Sequence, residues 1–293
     1  MRKKKYSSDT NLYWDGGVVG YNSLEEVLKR HPDVDVVIIN DFHKVFATKR
    51  DNSFMDRTWT PVHLFNKLMD VIAREFANLK HELCEKYNVE IIRVCPNIPI
   101  KVELDKPNQD TARRVVSLAY DETKRLLGHD ARRLQGKKIL WVLAGGSLKG
   151  IYAHTGFVMY MSEKGLTPEA IIGTSAGSII GGYYASYGCM NKMLSTVMNL
   201  RAKDFVDKCN IFEWLRYISK QFMGFSGIIK GKKLVKFLEK NLGVENIEDC
   251  SVPFYAHTVN MTTVEEEIWE KGNMAVALRA SSSIPYVFSL AKT

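Results

Sequence analysis

Cysteine is scarce and unpatterned in this chain. The five residues Cys84, Cys95, Cys189, Cys209 and Cys250 are odd in number, scattered, and include no Cys-x-x-Cys pair. That excludes a disulfide framework and a zinc knuckle and fits a reducing compartment. The histidines (His31, His43, His63, His81, His129, His154 and His257) show no metal-ligand spacing, so no metal or other cofactor is expected. Long hydrophobic runs are missing too. The uncharged stretch 170–191 is crowded with glycine and serine, too weak for a membrane span, and reads as a buried strand, turn and helix. Arg2–Lys5 lead into polar Ser7-Ser8-Asp9-Thr10 with no apolar core behind them, so no secretory leader is expected.

Other absences concern partners. The net charge is +8 and basic runs occur at Arg2–Lys5, Lys137–Lys138 and Lys230–Lys233. No zinc-finger, RNA-recognition or basic-helix pattern accompanies them, so nucleic acid is not an expected partner. Any one run is what a solvated surface carries; together they also suit an anionic membrane surface. A cytoplasmic protein that touches membranes peripherally is the expectation. No linker, low-complexity tract or repeat divides the chain.

What is present is alternation. Short β-rich apolar runs at 12–14, 34–39, 90–94, 139–144, 170–172 and 253–261 alternate with helical periodicity at 23–30, 62–86, 110–127, 152–164, 178–187, 191–205, 232–242 and 273–281. Residues 265–267 read as an edge or hairpin strand. The pattern predicts one α/β domain over 1–293, a mostly parallel central sheet with helices on both faces.

Two motifs carry chemistry. Gly173-Thr174-Ser175-Ala176-Gly177-Ser178 is G-x-S-x-G between a strand-like run and a small-residue helix. A serine on a sharp strand-to-helix turn needs Gly173 and Gly177 beside it, because a β-carbon would strike the tight backbone. Upstream, the run 139–144 ends in Gly145-Gly146-Ser147-Leu148-Lys149-Gly150 before a helix. Such a loop presents backbone N–H groups to an anion. Ser147 breaks the dinucleotide pattern, and Ile151-Tyr152 after Gly150 breaks the Walker pattern. An oxyanion hole built from Gly145, Gly146, Ser147, Leu148 and Gly150 fits better.

With these motifs in view, residues 138–188 resemble the start of a patatin-like phospholipase domain: Ala144 to Gly150, then His154-Thr155-Gly156-Phe157, then the serine turn. Gly231-Lys232-Lys233-Leu234, Val252-Pro253-Phe254 and Ala280-Ser281-Ser282-Ser283-Ile284-Pro285 resemble later blocks in the same order. Ser147 departs from the family, which usually has a third glycine there. The resemblance implies a Ser–Asp dyad whose aspartate, in Asp-Gly-Gly or Asp-Gly-Ala, comes after the Ile-Pro block by a short strand. That motif stands instead near the start, as Leu12-Tyr13-Trp14-Asp15-Gly16-Gly17. Tyr21 and Ser23 depart from the Asn and Pro that many members carry after it. The segment from this motif through residue 127 resembles the family's C-terminal part. The reading is a circularly permuted patatin-like domain: 1–135 matches the family's C-terminal part, and 136–293 its N-terminal part.

As the resemblance implies, Ser175 attacks an acyl ester of a phospholipid or other fatty acyl substrate. Asp15 handles its proton, and an acyl-enzyme forms. Asp-Gly-Gly is by itself a common turn. Lys149 either holds the loop or meets a headgroup, and His154 either packs on its helix or completes a triad. The aromatic-rich stretch 191–227 reads as core packing or as a lid over an apolar channel. The rival function is a catalytically silent, patatin-shaped lipid-binding scaffold; a third arrangement has Asp15 serving a neighbouring molecule.

Overall fold

A computed structural model describes residues 12–15, 21–41, 82–83, 85–102, 107–205, 207, 229–263, 265–283 and 291–292. Gly16, Gly17, most of the expected helix 62–86, the aromatic stretch 208–228 and Ile284-Pro285 lie outside the described residues. The elements are β1 (Leu12–Asp15), α1 (Tyr21–Arg30), β2 (Val36–Asn40), β3 (Glu90–Val94), α2 (Gln109–Leu127), β4 (Ile139–Leu143), α3 (Ser147–Glu163), β5 (Pro168–Gly173), α4 (Ala176–Tyr187), α5 (Asn191–Met198), α6 (Ala202–Phe205), α7 (Lys232–Asn241), β6 (Phe254–Asn260), β7 (Glu265–Trp269), α8 (Met274–Ser281) and β8 (Ala291–Lys292).

Strand alternation sorts side chains onto two faces. Ile139, Trp141 and Leu143 of β4 join Val36 and Ile38 of β2 and Ile171 of β5 in the core under α2, α3 and α4. Leu140, Val142, Val37, Ile39, Ala170 and Ile172 face the other way, where Leu24, Val27 and Leu28 of α1 cover them. Helices therefore cover both faces, as the alternation predicts. The densest helix contact is α2 against α3, made possible by Gly156. A β-carbon there would stand 2.4 Å from the Val116 carbonyl oxygen and 2.8 Å from the Tyr120 nitrogen.

The sheet order is β3-β2-β4-β5-β6-β1-β8, with β7 added to β6. β3, β2, β4, β5 and β6 run parallel to one another. β1 is antiparallel to β6 and β8, and β7 to β6. Strands from both parts of the chain share the sheet: β2 pairs with β4, and β1, from the first 135 residues, sits between β6 and β8 from the later part. Leu12 pairs with Lys292.

The edges of β6 matter most for the site. Ala256 pairs with both Gly173 of β5 and Trp269 of β7, so those strands lie on opposite edges. Residues 258–260 pair with both β7 and β1. A strand has two edges, so β1 occupies the edge that β5 vacates when it turns into α4.

Two departures from the expected elements are larger than a residue or two. Helix α3 starts at Ser147, five residues ahead of the expected 152, and the helix expected over 191–205 is broken between Met198 and Ala202. No side chain caps the start of α3, whereas at the break Asn199 Nδ2 donates to Ser195 O at 2.8 Å and Asp204 accepts from Arg201 N–H at 3.0 Å.

Gly156→Ala is expected to destabilise the fold by about 1–3 kcal/mol, because the intruding methyl meets backbone on a facing helix. Urea unfolding followed by circular dichroism reads this as a lower midpoint with an unchanged slope.

Candidate active site

Ser175 sits between the last residue of β5 and the first of α4, at φ 54° and ψ −117°. This left-handed region costs a non-glycine residue about 1–2 kcal/mol. The surrounding turn holds it there. Gly177 N–H donates to Thr174 O at 2.8 Å, and Thr174 N–H donates to Leu143 O at 2.9 Å, pulling the turn onto the end of β4. A β-carbon on Gly177 would lie 2.1 Å from that Leu143 oxygen, and one on Gly173 would lie 2.6 Å from Gly177 O. Both glycines are required by close approach.

A second tether comes from α8. Ser175 N–H donates to Ser281 Oγ at 2.9 Å, and Ser281 Oγ donates to the His257 carbonyl on β6 at 2.7 Å. The backbone of the turn is thus linked to the strand that also pairs with β1. In the sequence Ser281 belongs to a serine run, and nothing in that run distinguishes it from Ser282 or Ser283. On the other side of Thr174, its Oγ1 lies 3.2 Å from His257 Nδ1, and His257 Nε2 lies 3.8 Å from Glu266 Oε2. Glu266 in turn accepts from Ser23 Oγ at 3.1 Å. His257 therefore backs the turn, a role its isolated position in the sequence did not signal.

The glycine loop comes directly after β4. Gly146 precedes α3, and Ser147 stands at φ 54°, a second serine in the left-handed region. Helical bonding begins with Gly150 N–H donating to Gly146 O at 2.7 Å. The Gly150 N–H is thus engaged inside the helix. Ser147, Leu148 and Lys149 form the first turn, where N–H groups have no acceptor within the helix and the macrodipole is positive. Lys149 Nζ donates to the Ile98 carbonyl, so it holds the loop after β3 against α3.

His154 is fully buried and forms a clamp. One ring nitrogen, Nε2, donates to Ala144 O at 2.7 Å, and Nδ1 lies 2.7 Å from Asn40 Oδ1. Both nitrogens are engaged away from Ser175, which removes His154 from any triad. Burial pushes its pKa down to about 4, against the pull of the Ala144 carbonyl.

Ser147, Ser175 and Ser282 all line a single cavity. Its enclosed free volume is about 60 Å³. The remaining walls are almost wholly apolar: Ile151, Ile179, Val197, Leu200, Phe205 and Leu238 among them. Asp207 ties the α6 and α7 walls together, its carboxylate accepting from Lys232 N–H at 2.8 Å and Lys233 N–H at 3.1 Å. Arg279, buried on α8, donates to Lys230 O at 3.2 Å and to Ser283 Oγ, and burial lowers its pKa to about 10.

Asp15 is placed by backbone register. It stands opposite Thr258, two residues beyond Ala256, the partner of Gly173. That is about 7 Å further along the edge of β6 from the end of β5.

The sequence model of the patatin-like phospholipases matches residues 141–293, just over half of the chain. The chain belongs to the patatin-like phospholipase family. It is 28% identical over 211 residues, 71% of its length, to a lysophospholipase NTE1 of Debaryomyces hansenii, covering 13% of that protein. It is 31% identical over 154 residues, 53% of its length, to a lysophospholipase nte1 of Emericella nidulans and covers 10% of it. The counterpart from Mycosarcoma maydis is 32% identical over the same length, with 8% covered. The chain thus spans about a tenth of the length of the curated relatives it matches. No helix among the described residues is long and apolar enough to cross a membrane.

The buried imidazole makes stability depend on pH. A folded pKa of about 4 lies below the unfolded value near 6.5, so the unfolded chain binds the proton first as pH falls. Above about pH 6.5 both states are neutral and this group has no effect. Between about 6.5 and 4 it removes stability, up to about 3 kcal/mol. Urea midpoints measured from pH 7 to 4 are expected to fall less steeply for His154→Gln than for the wild type.

Proposed function

We propose that this protein is a serine lipid acyl hydrolase acting on single-chain phospholipid or other fatty acyl esters. The observation that carries this is Ser175, strained and held at its turn, lining an apolar cavity that Ser147 and Leu148 of the first turn of α3 also line. The relatives' names, lysophospholipases, support the substrate class.

In this mechanism Ser175 Oγ attacks the ester carbonyl and the Asp15 carboxylate accepts its proton. Backbone N–H groups of Gly146, Ser147 and Leu148 receive the developing oxyanion, each well-aimed donor contributing about 3–4 kcal/mol. Collapse breaks the ester C–O bond, and the departing alcohol takes the proton back. Water, deprotonated by Asp15, then attacks the acyl-enzyme; the C–O bond to Ser175 breaks, Ser175 Oγ takes that proton back, and the fatty acid is released. Asp15 is supported by the course of β1 along the edge of β6 that β5 leaves. Exposed Lys232 and Lys233 open α7, whose Leu234 lines the cavity. They suit approach to an anionic lipid surface.

We propose, too, that 1–135 and 136–293 are the two parts of one permuted domain. The pairing of Leu12 with Lys292 and the interleaving of strands from both parts support this.

Ser175→Ala and Asp15→Asn are each expected to lower hydrolysis of nitrophenyl octanoate about a thousandfold or more while leaving the thermal midpoint within a few degrees. Equal activity of wild type and Ser175→Ala overturns the mechanism. A wild type inert on all esters points to a silent scaffold. Activity restored by mixing the two inactive variants assigns Asp15 to a neighbouring molecule.

A further inference from the structure

Ser175, Ile179 and Tyr183 all line the cavity. They are spaced four residues apart, so they stand above one another on one face of α4. At 1.5 Å per residue, Tyr183 lies about 12 Å below Ser175 along the helix axis. The cavity is therefore a channel that runs down α4, with Val197 and Leu200 of the α5 segment and Leu234 and Leu238 of α7 beside it.

The far end is closed. Tyr187 Oη donates to the Asn241 carbonyl at 2.7 Å, and Gly243 N–H donates to Ser186 Oγ at 3.3 Å. These bonds sew the last turn of α4 to the end of α7, one turn below Tyr183. Behind α4, a β-carbon on Gly182 would already meet Met274 Cε at 2.9 Å, so α8 blocks that side. Tyr183 itself is 2% exposed. Its hydroxyl has no hydrogen-bond partner among the described residues. A tyrosine kept there for its hydroxyl would be paired, so the ring is what the position uses.

We infer that Tyr183 is the floor of an acyl-chain channel and sets the length of chain the enzyme accepts. This rests on the acyl-hydrolase reading and names its substrate more closely. A saturated chain advances about 1.3 Å per carbon, given C–C bonds of about 1.5 Å at tetrahedral angles. About 12 Å between Ser175 and Tyr183 then accommodates roughly eight to ten carbons. A longer chain must fold back or leave part of itself in the mouth. The class of substrate is a medium-chain acyl ester.

The test is the chain-length profile of kcat/KM on nitrophenyl esters of four, eight, twelve and sixteen carbons, using the full chain. Wild type is expected to peak at eight carbons and to fall about tenfold by sixteen. Tyr183→Ala should move the peak to twelve or more, whereas Tyr183→Phe, which keeps the ring, should restore the wild-type profile. Ile179→Phe, a half-buried position one turn below Ser175, should move the peak the other way, to four carbons. That variant keeps the test decisive should Tyr183→Ala fail to fold. Folded, active variants with the wild-type profile overturn the channel floor alone. Wild type inactive on every ester overturns the hydrolase reading and this inference with it.

Discussion

The contact between Gly177 and the Leu143 carbonyl is the constraint on which the site depends. A β-carbon would lie 2.1 Å from that oxygen, so the serine turn can press onto the end of β4 only with glycine there. The hydrogen bond from Thr174 N–H to the same carbonyl fastens the turn in that position. Because β4 leads directly into the glycine loop, one approach sets Ser175 and the start of α3 relative to each other. Everything chemical in the cavity inherits its geometry from this point.

The rest of the structure resists the strain that this approach creates. Two serines, Ser147 and Ser175, occupy a backbone region that favours glycine. Around Ser175 the restraints are directional: Ser281 accepts its N–H and passes a hydrogen bond to β6, while His257 sits against Thr174 from the other side. Around the loop, His154 clamps Ala144 to Asn40. Such buried polar contacts are costly to leave unmade, so they hold one arrangement in preference to its neighbours.

The sheet adds long-range order. Strands from the first and last thirds of the chain are interleaved, so the sheet cannot be completed by either part alone. The edge of β6 is shared in turn by β5 and β1, and this brings the segment ending at Asp15 toward the turn carrying Ser175. Sequence separation is irrelevant to this proximity; edge sharing produces it.

Much of the fold is legible in the sequence because local chemistry dictates it. The unbroken apolar run 139–143 marks a strand buried on both faces, and the glycines around Ser175 mark a turn too tight for side chains. The five-residue error at the start of α3 has a physical origin: glycines in 145–150 read as a loop, yet Gly150 is helical because its N–H finds Gly146 O. The break after Met198 carries no proline or glycine to announce it. Local pattern suffices for the alternation of elements and for the serine turn, since each rests on contacts between near neighbours along the chain. It takes the folded chain to show that Ser281 and His257 brace the turn, that His154 faces away from Ser175, and that Tyr183 lines the cavity. Those roles arise from packing between distant segments, and no local pattern encodes them.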